Sequence, residues 1–471
     1  MSDLEDVLDV AGHAVALDAE TVRVGDEARF RSRVGGLVEI SALGRGAKQG
    51  WARYLIRCAG LELGIVPSSI HALYKARGSG AVPLTFTVPA LNLRILPFEA
   101  ARAVFRVARQ INAGAFIFEI ARSEIGYTDQ QPAEYATAVL AAAIAEGWSG
   151  PVFLQGDHFQ VSAKKYASTP QAEVEAVKKL TGDAIGAGFY NIDIDTSTLV
   201  DVSKRGVMDQ QQTNFDLSSE FAEFIRKAEP PEVTVSIGGE IGEVGGHNST
   251  AEELRAFMNG FNGAMKVRAP GKPGLSKISI QTGTSHGGTV LPDGSLARVN
   301  IDFGALRELS QLARSEYQLG GTVQHGASTL PEDAFHQFVE NEAIEVHLAT
   351  NFMTIFYDNA PDELRDAMYA WLDVNAAAER KAGMTNEQFY YKTRKNAIGA
   401  FKRQIFALSE AQRAPIRAAW EAQFAKLFHL LGMQNTRHYV DEFIRPARVI
   451  TVPQYYLGAG TGAAGADDLQ D

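Results

Sequence analysis

The sequence is poor in cysteine, in positive charge and in long apolar runs. Cys58 is its only cysteine, which excludes an internal disulfide and fits a reducing compartment. The net charge of -11 at pH 7 offers no basic face for binding phosphates, so nucleic acid is not expected as a partner. No apolar run could span a bilayer, and the acidic N-terminus lacks the apolar core of a signal peptide. We therefore expect a cytoplasmic protein with no membrane partner.

The chain of 471 residues, 45% of them hydrophobic, can bury a large core. Between residues 81 and 360 it repeats a strand, loop and helix unit eight times, which predicts an α/β fold of the TIM (β/α)8 barrel type. An open doubly wound sheet gives the same alternation and remains the alternative. The predicted strands are Leu84 to Ala90, Ala115 to Ile120, Val152 to Gly156, Tyr190 to Ile194, Glu232 to Ile237, Ile278 to Gln281, Thr322 to Gln324 and Ile344 to Leu348.

Both flanks of the predicted barrel have helical patterns. Residues 1–80 are predicted as an N-terminal helical extension and residues 361–457 as a C-terminal one. In the latter, an apolar stripe that includes Trp420 and Phe424 indicates packing or a subunit interface, and a homo-oligomer is expected. Residues 458–471 are small, glycine-rich and acidic, which predicts a disordered tail.

Three predicted strands each lead into a histidine: His158, His286 and His325. Parallel strands of one barrel end at the same rim, so the three imidazoles would meet there. Three histidines can hold zinc and leave one coordination position open for substrate. A single histidine after a strand is more often a hydrogen-bonded structural residue, but three at one rim favour a shared metal site.

Carboxylates follow the same strands. Asp157 precedes His158, and adjacent side chains point to different sides, so that one can bind metal while the other faces substrate. Asp193 and Asp195 alternate after the fourth strand and share a face. Glu240 and Glu243 lie in a glycine-rich loop after the fifth and could ligate metal or move protons.

Glycines beside two of the histidines predict an anion site. Backbone N–H groups of Gly287-Gly288 and of Gly326-Ala327-Ser328-Thr329 could bind a phosphate. Tight turns without a ligand are the alternative reading.

Together these motifs resemble the zinc-dependent class II fructose-bisphosphate and tagatose-bisphosphate aldolases over roughly residues 83–357. A further segment, Phe118 to Thr128, is similar to the accessory subunits of tagatose-bisphosphate aldolase in the same superfamily. The motifs that carry the resemblance, in the family's order, are Val88-Pro89-Ala90-Leu91-Asn92, Asp157-His158, Asp195-Thr196-Ser197, Glu240-Ile241-Gly242, Gly283-Thr284-Ser285-His286-Gly287 and His325-Gly326-Ala327-Ser328.

The resemblance implies a role for each matching residue. His158, His286 and His325 match the zinc ligands, and Glu240 and Asp195 match carboxylates at or near the metal. Asp157 matches the aspartate that protonates the aldehyde oxygen. The remaining matches are to groups that bind the donor and its phosphate: Asn92, Gly287, Gly326, Ser328 and Thr350.

The chain departs from the family after its eighth strand. His347-Leu348-Ala349-Thr350-Asn351 stands where the family has Asn-x-Asp-Thr-Asp, and the acid that moves the donor's proton is replaced by His247-Asn248. Glu243, His247 or His347 could take over that proton transfer, and Arg122 could bind an anionic end group of the substrate. The donor pocket is therefore expected to be rebuilt, with Thr350 and Asn351 in its wall.

These observations predict a zinc-dependent aldolase with one Zn2+ per chain, or another divalent metal in its place. It would cleave a ketose, sugar or sugar phosphate, reversibly through a metal-stabilised enediolate. A metal-dependent epimerase or other lyase using the same enediolate is one alternative. A non-catalytic accessory subunit of an aldolase is another, which the histidines argue against because such a subunit needs no open metal site.

Overall fold

The computed structural model describes residues 2–18, 21–242, 247–283, 291, 301–327 and 330–458. Its strands are β1 Val15–Asp18, β2 Thr21–Val24, β3 Ile65–Ser68, β4 Val88–Asn92, β5 Ile117–Ala121, β6 Gly150–Gln160, β7 Asn191–Asp195, β8 Ser236–Glu240, β9 Lys277–Ile280, β10 Thr322–Gln324 and β11 Glu345–Leu348. Its helices are α1 Ser2–Val10, α2 Glu27–Leu43, α3 Gly46–Glu62, α4 His71–Gly78, α5 Pro97–Gln110, α6 Arg122–Thr128, α7 Pro132–Ala145, α8 Ala163–Ser168, α9 Pro170–Ala187, α10 Val207–Ala228, α11 Ala251–Arg268, α12 Phe303–Tyr317, α13 His336–Glu340, α14 Thr350–Asn359, α15 Asp362–Asn375, α16 Asn386–Thr393, α17 Ala397–Ala400, α18 Lys402–Phe406, α19 Glu410–Leu430, α20 Arg437–Phe443 and α21 Pro453–Gly458.

Strands β4 to β11 form a closed barrel of eight parallel strands. Each pairs with the next along the chain, and β11 returns to pair with β4, His347 standing beside Ala90. Closure leaves none of these eight strands at an edge and brings their carboxyl ends to one rim. The predicted TIM barrel is confirmed, and each predicted barrel strand overlaps an observed one.

Strand β6 contains an irregularity that shapes the rim. Its register with β7 shifts between Gly156 and Phe159, and His158 between them has a left-handed φ of 39°. A Cβ on Gly156 would lie 2.5 Å from the Phe159 ring, so this bulge requires glycine. Bulges redirect side chains, and a non-glycine residue at positive φ stores backbone strain. The bulge brings both Asp157 and His158 to the same mouth.

Residues 1–80 contain strands as well as helices. β1 and β2 form an antiparallel pair, and β3 adds a ninth, parallel strand to the sheet beside the first residues of β6. Asn191 fastens β3 in place: its amide donates to Ser68 O at 3.2 Å and its Oδ1 accepts from Ile70 N at 2.9 Å. The N-terminal segment thus continues the barrel sheet, whereas only helices were predicted.

The C-terminal helices pack onto the barrel. Trp420, Phe424 and Phe428 of α19 are buried, and the Trp420 indole donates to Phe352 O at 2.9 Å. Their stripe is therefore core packing within the chain. The predicted boundaries of the barrel, at residues 81 and 360, remain a prediction. Apart from Gly458, the predicted tail lies outside the described residues. Within the described part, the helices are too short or too polar to cross a membrane.

Candidate metal centre and active site

Four barrel strands bring a cluster of polar side chains to the rim. Asp157 and His158 lie near the end of β6, Asp195 ends β7, Glu240 ends β8, and His325 follows β10 directly. All are buried except His158, whose side chain is 14% exposed. The strand ends fold this way because a closed parallel barrel places every carboxyl end at one face.

His158 is the centre of this cluster. Its Nε2 lies 2.9 Å from Nδ1 of His325. Its Nδ1 lies 3.1 Å from Oδ2 of Asp195 and 3.3 Å from Oε2 of Glu240. Ligands bound to zinc at about 2.0–2.2 Å in a tetrahedron are roughly 3.3–3.6 Å apart, so the spacing at each nitrogen is close to that of a metal site, and one ion would bind only one of the two nitrogens.

The donor chemistry of the cluster fits a divalent cation. Asp157, Asp195 and Glu240 bring three carboxylates into a small buried volume. Burial, and then the charge of Asp195, raise the pKa of Glu240 to about 7. A divalent cation would offset this repulsion, and a set of imidazole and carboxylate donors suits zinc. Two ligand groups share His158: one contains Asp157 and His325, and the other contains Asp195 and Glu240.

Asp195 is also tied to its surroundings. Its Oδ1 accepts hydrogen bonds from the Ser197 amide at 3.0 Å and hydroxyl at 2.7 Å, and its Oδ2 accepts from Gln160 at 2.5 Å. Burial opposes ionisation of Asp195, but its contacts with His158 and Ser197 lower its pKa. Asp195 is therefore held as a carboxylate and orients the His158 ring.

Ser279 holds the second histidine. Its hydroxyl lies 3.0 Å from Nε2 of His325, on the side of the ring opposite His158. An outer hydrogen bond of this kind fixes the orientation and tautomer of a metal-binding imidazole. Ser279 therefore leaves Nδ1 of His325 as the donor to a metal.

We expect Ser279→Ala to weaken metal binding by roughly 10–100-fold, the usual cost of losing such a partner. Titration of the metal-free protein against a chromophoric chelator measures this. Ser276→Ala is the matched control, because Ser276 is equally buried but bonds to the Ser236 hydroxyl at 2.7 Å. Equal affinity in wild type and Ser279→Ala would show that Ser279 does not support a ligand.

Asp157 faces His347 beside the metal-binding group. Asp157 Oδ1 lies 3.1 Å from Nδ1 of His347, and Glu119 Oε2 lies 3.0 Å from the same nitrogen. The His347 ring is 4.0 Å from that of His325. Burial lowers the pKa of His347, but Glu119 and Asp157 outweigh it and raise that pKa well above its usual value. An acid and an imidazole thus stand side by side next to the histidines.

Deeper in the barrel, a buried charged group lies beneath His347. Nε2 of His347 is 2.7 Å from Oε1 of Glu345, which is 2.5 Å from the Lys277 ammonium. Lys277 also contacts Asp193 at 2.9 Å and Gln155 at 2.8 Å. Of the two aspartates predicted to share a face, Asp193 lies in this lower group and Asp195 at the rim.

Some predicted site residues have other partners. Arg122 forms a two-point ion pair with Glu173, with distances of 2.5 and 3.1 Å, and is 2% exposed. Its guanidinium is thereby engaged by the chain, which leaves the predicted anion contact without support. His247 lies 2.7 Å from Glu253 and its side chain is 64% exposed.

Other predicted residues lie at the mouth. Asn92 donates to Glu124 at 2.5 Å and accepts from Arg94 at 3.3 Å. Thr350 and Asn351 begin α14, and Gly326 follows His325 with a φ of 70°. Their contacts with a substrate remain predictions. The predicted residues Glu243, His286, Gly287, Gly288 and Ser328 lie outside the described residues.

Sequence reasoning assigned no role to several buried polar residues. Their common signal is a charged or polar side chain inside an apolar strand, at alternate positions that share the barrel interior. Glu345 and His347 in β11 are an example. The residues missed in this way are Glu119, Gln155, Lys277 and Glu345.

Similarity to a known protein family extends over most of the chain. The model of the family described as fructose-bisphosphate aldolase class-II matches residues 80–411. No curated protein matches the chain.

Among solved structures, a probable tagatose 6 phosphate kinase from Sinorhizobium meliloti 1021 is 16% identical and covers 75% of this chain and 100% of its own, with a TM-score of 0.53. Fructuronate-tagaturonate epimerase UxaE from Cohnella laeviribosi is 13% identical and covers 90% of each chain, with a TM-score of 0.52. Fructose-bisphosphate aldolase from Campylobacter jejuni is 18% identical and covers 79% of this chain and 97% of its own, with a TM-score of 0.46. At these identities the likeness concerns the fold alone.

Proposed function

The chain belongs to the class-II fructose-bisphosphate aldolase family, and on that premise we propose that it is a zinc-dependent lyase that reversibly cleaves a carbon–carbon bond of a ketose. The observation that carries the proposal is the convergence of His158, His325, Glu240 and Asp195, with Asp157 beside them, at the carboxyl ends of the barrel strands. Active sites of this fold lie at that face.

His158 and His325 would hold the metal, together with His286 as the sequence predicts, and Asp195 and Glu240, which face the other nitrogen of His158, would orient its ring. When bound, the metal supplies a Lewis acid that polarises the substrate carbonyl. Zinc is proposed because imidazoles dominate the donor set, and another divalent cation suits the same ligands.

Asp157 is the proposed acid and base. In the cleavage direction one of its carboxylate oxygens takes the proton of the substrate hydroxyl as the carbon–carbon bond breaks and the aldehyde forms. The electron pair of that bond stays with the ketone fragment, which must then gain a proton at carbon. His347, 3.1 Å from Asp157, is the described residue best placed to supply it.

The substrate class follows from the mouth of the barrel. A sugar or sugar phosphate with a ketone and neighbouring hydroxyls matches a site lined by carboxylates, imidazoles and the Asn92 amide. A family member that has His347 and Ala349 in place of an asparagine and an aspartate presents different hydrogen-bonding groups, and buried polar groups reject a substrate that leaves them unpaired. We therefore propose a ketose other than fructose 1,6-bisphosphate.

A second candidate is a metal-dependent epimerase of a keto-sugar. The pairing of Asp157 with His347 favours it, because two adjacent proton carriers can remove and return a proton at carbon without breaking the carbon skeleton.

One experiment separates these functions. The zinc-loaded protein is incubated with a panel of phosphorylated and free ketoses and keto-sugar acids in D2O, and the products are followed by proton NMR. Release of an aldehyde supports the lyase. Deuterium bound to carbon in a ketose with an intact carbon skeleton would instead support the epimerase. No change in any compound would leave the accessory-subunit hypothesis standing.

A further inference from the structure

The interior of the barrel contains a buried ammonium where apolar side chains are usual. Lys277, the first residue of β9, is fully buried. Its ammonium contacts three other strands: Gln155 Oε1 at 2.8 Å, Asp193 Oδ2 at 2.9 Å and Glu345 Oε1 at 2.5 Å. Barrel interiors are normally filled by branched aliphatic residues. A buried ion pair is weak evidence for stability, so this network calls for another explanation.

The neighbouring strand leaves room for the network. A Cβ on Gly238 of β8 would lie 2.9 Å from Cε of Lys277 and 2.3 Å from Oδ1 of Asp193. A glycine at this position of the strand therefore lets the lysine and the aspartate meet.

Glu345 connects this network to His347. Both of its oxygens accept hydrogen bonds, Oε1 from Lys277 and from the Gln155 amide at 2.9 Å, and Oε2 from the Tyr74 hydroxyl. Burial by itself raises the pKa of Glu345, but Lys277 and His347 outweigh it and lower that pKa to about 2. Glu345 is thus an acceptor with no proton to give.

The orientation of His347 follows from this acceptor. Its Nε2 lies 2.7 Å from Oε1 of Glu345 and must donate to it. The other nitrogen, Nδ1, then faces Asp157 at 3.1 Å and Glu119 at 3.0 Å. The contact with Glu345 therefore sets which atom of His347 faces the proposed acid.

We propose that Lys277 is a positioning residue: through Glu345 it holds the Nε2 edge of the His347 ring and directs Nδ1 to Asp157. The proposal rests on the proposed function in that Asp157 is taken as the acid and base. The state of the His347 ring can nevertheless be measured without substrate.

The test is 15N NMR of zinc-loaded protein with labelled histidine, at neutral pH. The His347 signals are assigned by their absence in His347→Gln. We expect the wild type to show a downfield, slowly exchanging proton on Nε2 of His347, because that proton is held in a buried hydrogen bond to Glu345. Lys277→Met and Glu345→Gln should each lose this signal, because the first removes the cation that holds Glu345 in place and the second puts a neutral amide where the carboxylate was.

Lys402→Met is the matched control. Lys402 is also buried and contacts Glu134 at 2.8 Å, but it lies in α18 outside the barrel. It should leave the His347 signals unchanged. With a ketose that the wild type cleaves, Lys277→Met should lower kcat at least tenfold with little change in KM, while the zinc content stays the same.

Unchanged His347 signals in folded Lys277→Met and in Glu345→Gln would overturn the proposal. If Lys277→Met fails to fold by circular dichroism, Glu345→Gln decides alone, since a neutral amide of the same shape needs no counter-ion. If no ketose is cleaved, the proposed function fails, and the ring signals still decide the role of Lys277.

Discussion

Replacing His325 by alanine is expected to abolish metal binding. The wild type should hold about one zinc per chain after dialysis, and His325→Ala close to none. The variant removes the imidazole that faces His158 at 2.9 Å, and zinc sites that lose one of few protein ligands bind far more weakly. The loss of metal affinity should exceed the roughly 10–100-fold expected on removing Ser279, which only hydrogen-bonds to a ligand. Elemental analysis of the purified proteins measures it.

His336→Ala is the control for this experiment. His336 lies in α13 with half of its side chain exposed and near Glu340. It should retain the wild-type zinc content. Full occupancy in the double variant His158→Ala with His325→Ala would refute the metal site.

Removing the acid at Asp157 should stop the chemistry and spare the metal. We expect Asp157→Asn to lower turnover by roughly 100-fold or more, the usual scale for a general acid or base, because the amide cannot take a hydroxyl proton. Zinc content should stay near that of the wild type, since His158 and His325 remain. Steady-state kinetics with a ketose that the wild type cleaves, together with metal analysis, checks both halves.

Asp183→Asn is the control, because it makes the same change on the exposed face of α9, where Asp183 pairs with Lys179 at 2.8 Å. It should change neither turnover nor zinc content. A fall in zinc parallel to the fall in activity would instead place Asp157 among the ligands.

The architecture was predictable because buried strands alternate with amphipathic helices along the barrel. Strand ends were harder to predict where the site itself begins. The predicted β8 ends three residues too early, since its last residues, Gly238, Gly239 and Glu240, lack the apolar side chains that indicate a strand. The residues that form the site thus weaken the sequence pattern by which the end of their strand would be recognised.

β3 and the bulge in β6 could not be predicted for a related reason. Pro67 lies within β3 and argues against a strand, yet it is tolerated because β3 pairs on one side only. The bulge depends on how the Phe159 ring packs over Gly156, which is a tertiary contact.

The rim of the site could be predicted from residues that follow strands, but its interior could not. His158, His325, Asp157 and Asp195 were predicted and converge in the structure. A lysine at the start of β9 is typical of a solvated strand end, and only barrel closure shows that Lys277 reaches Asp193 and Glu345 from other strands. Pairing across a barrel has no local signal in one sequence.

Aldehyde release by metal-free and zinc-reloaded protein tests the central claim most directly. Wild-type protein stripped with a chelator should release no aldehyde from the ketose panel, and zinc should restore release in the wild type but not in His325→Ala. Release that persists without metal, or that zinc restores equally in His325→Ala, would contradict a metal-dependent lyase built on these residues.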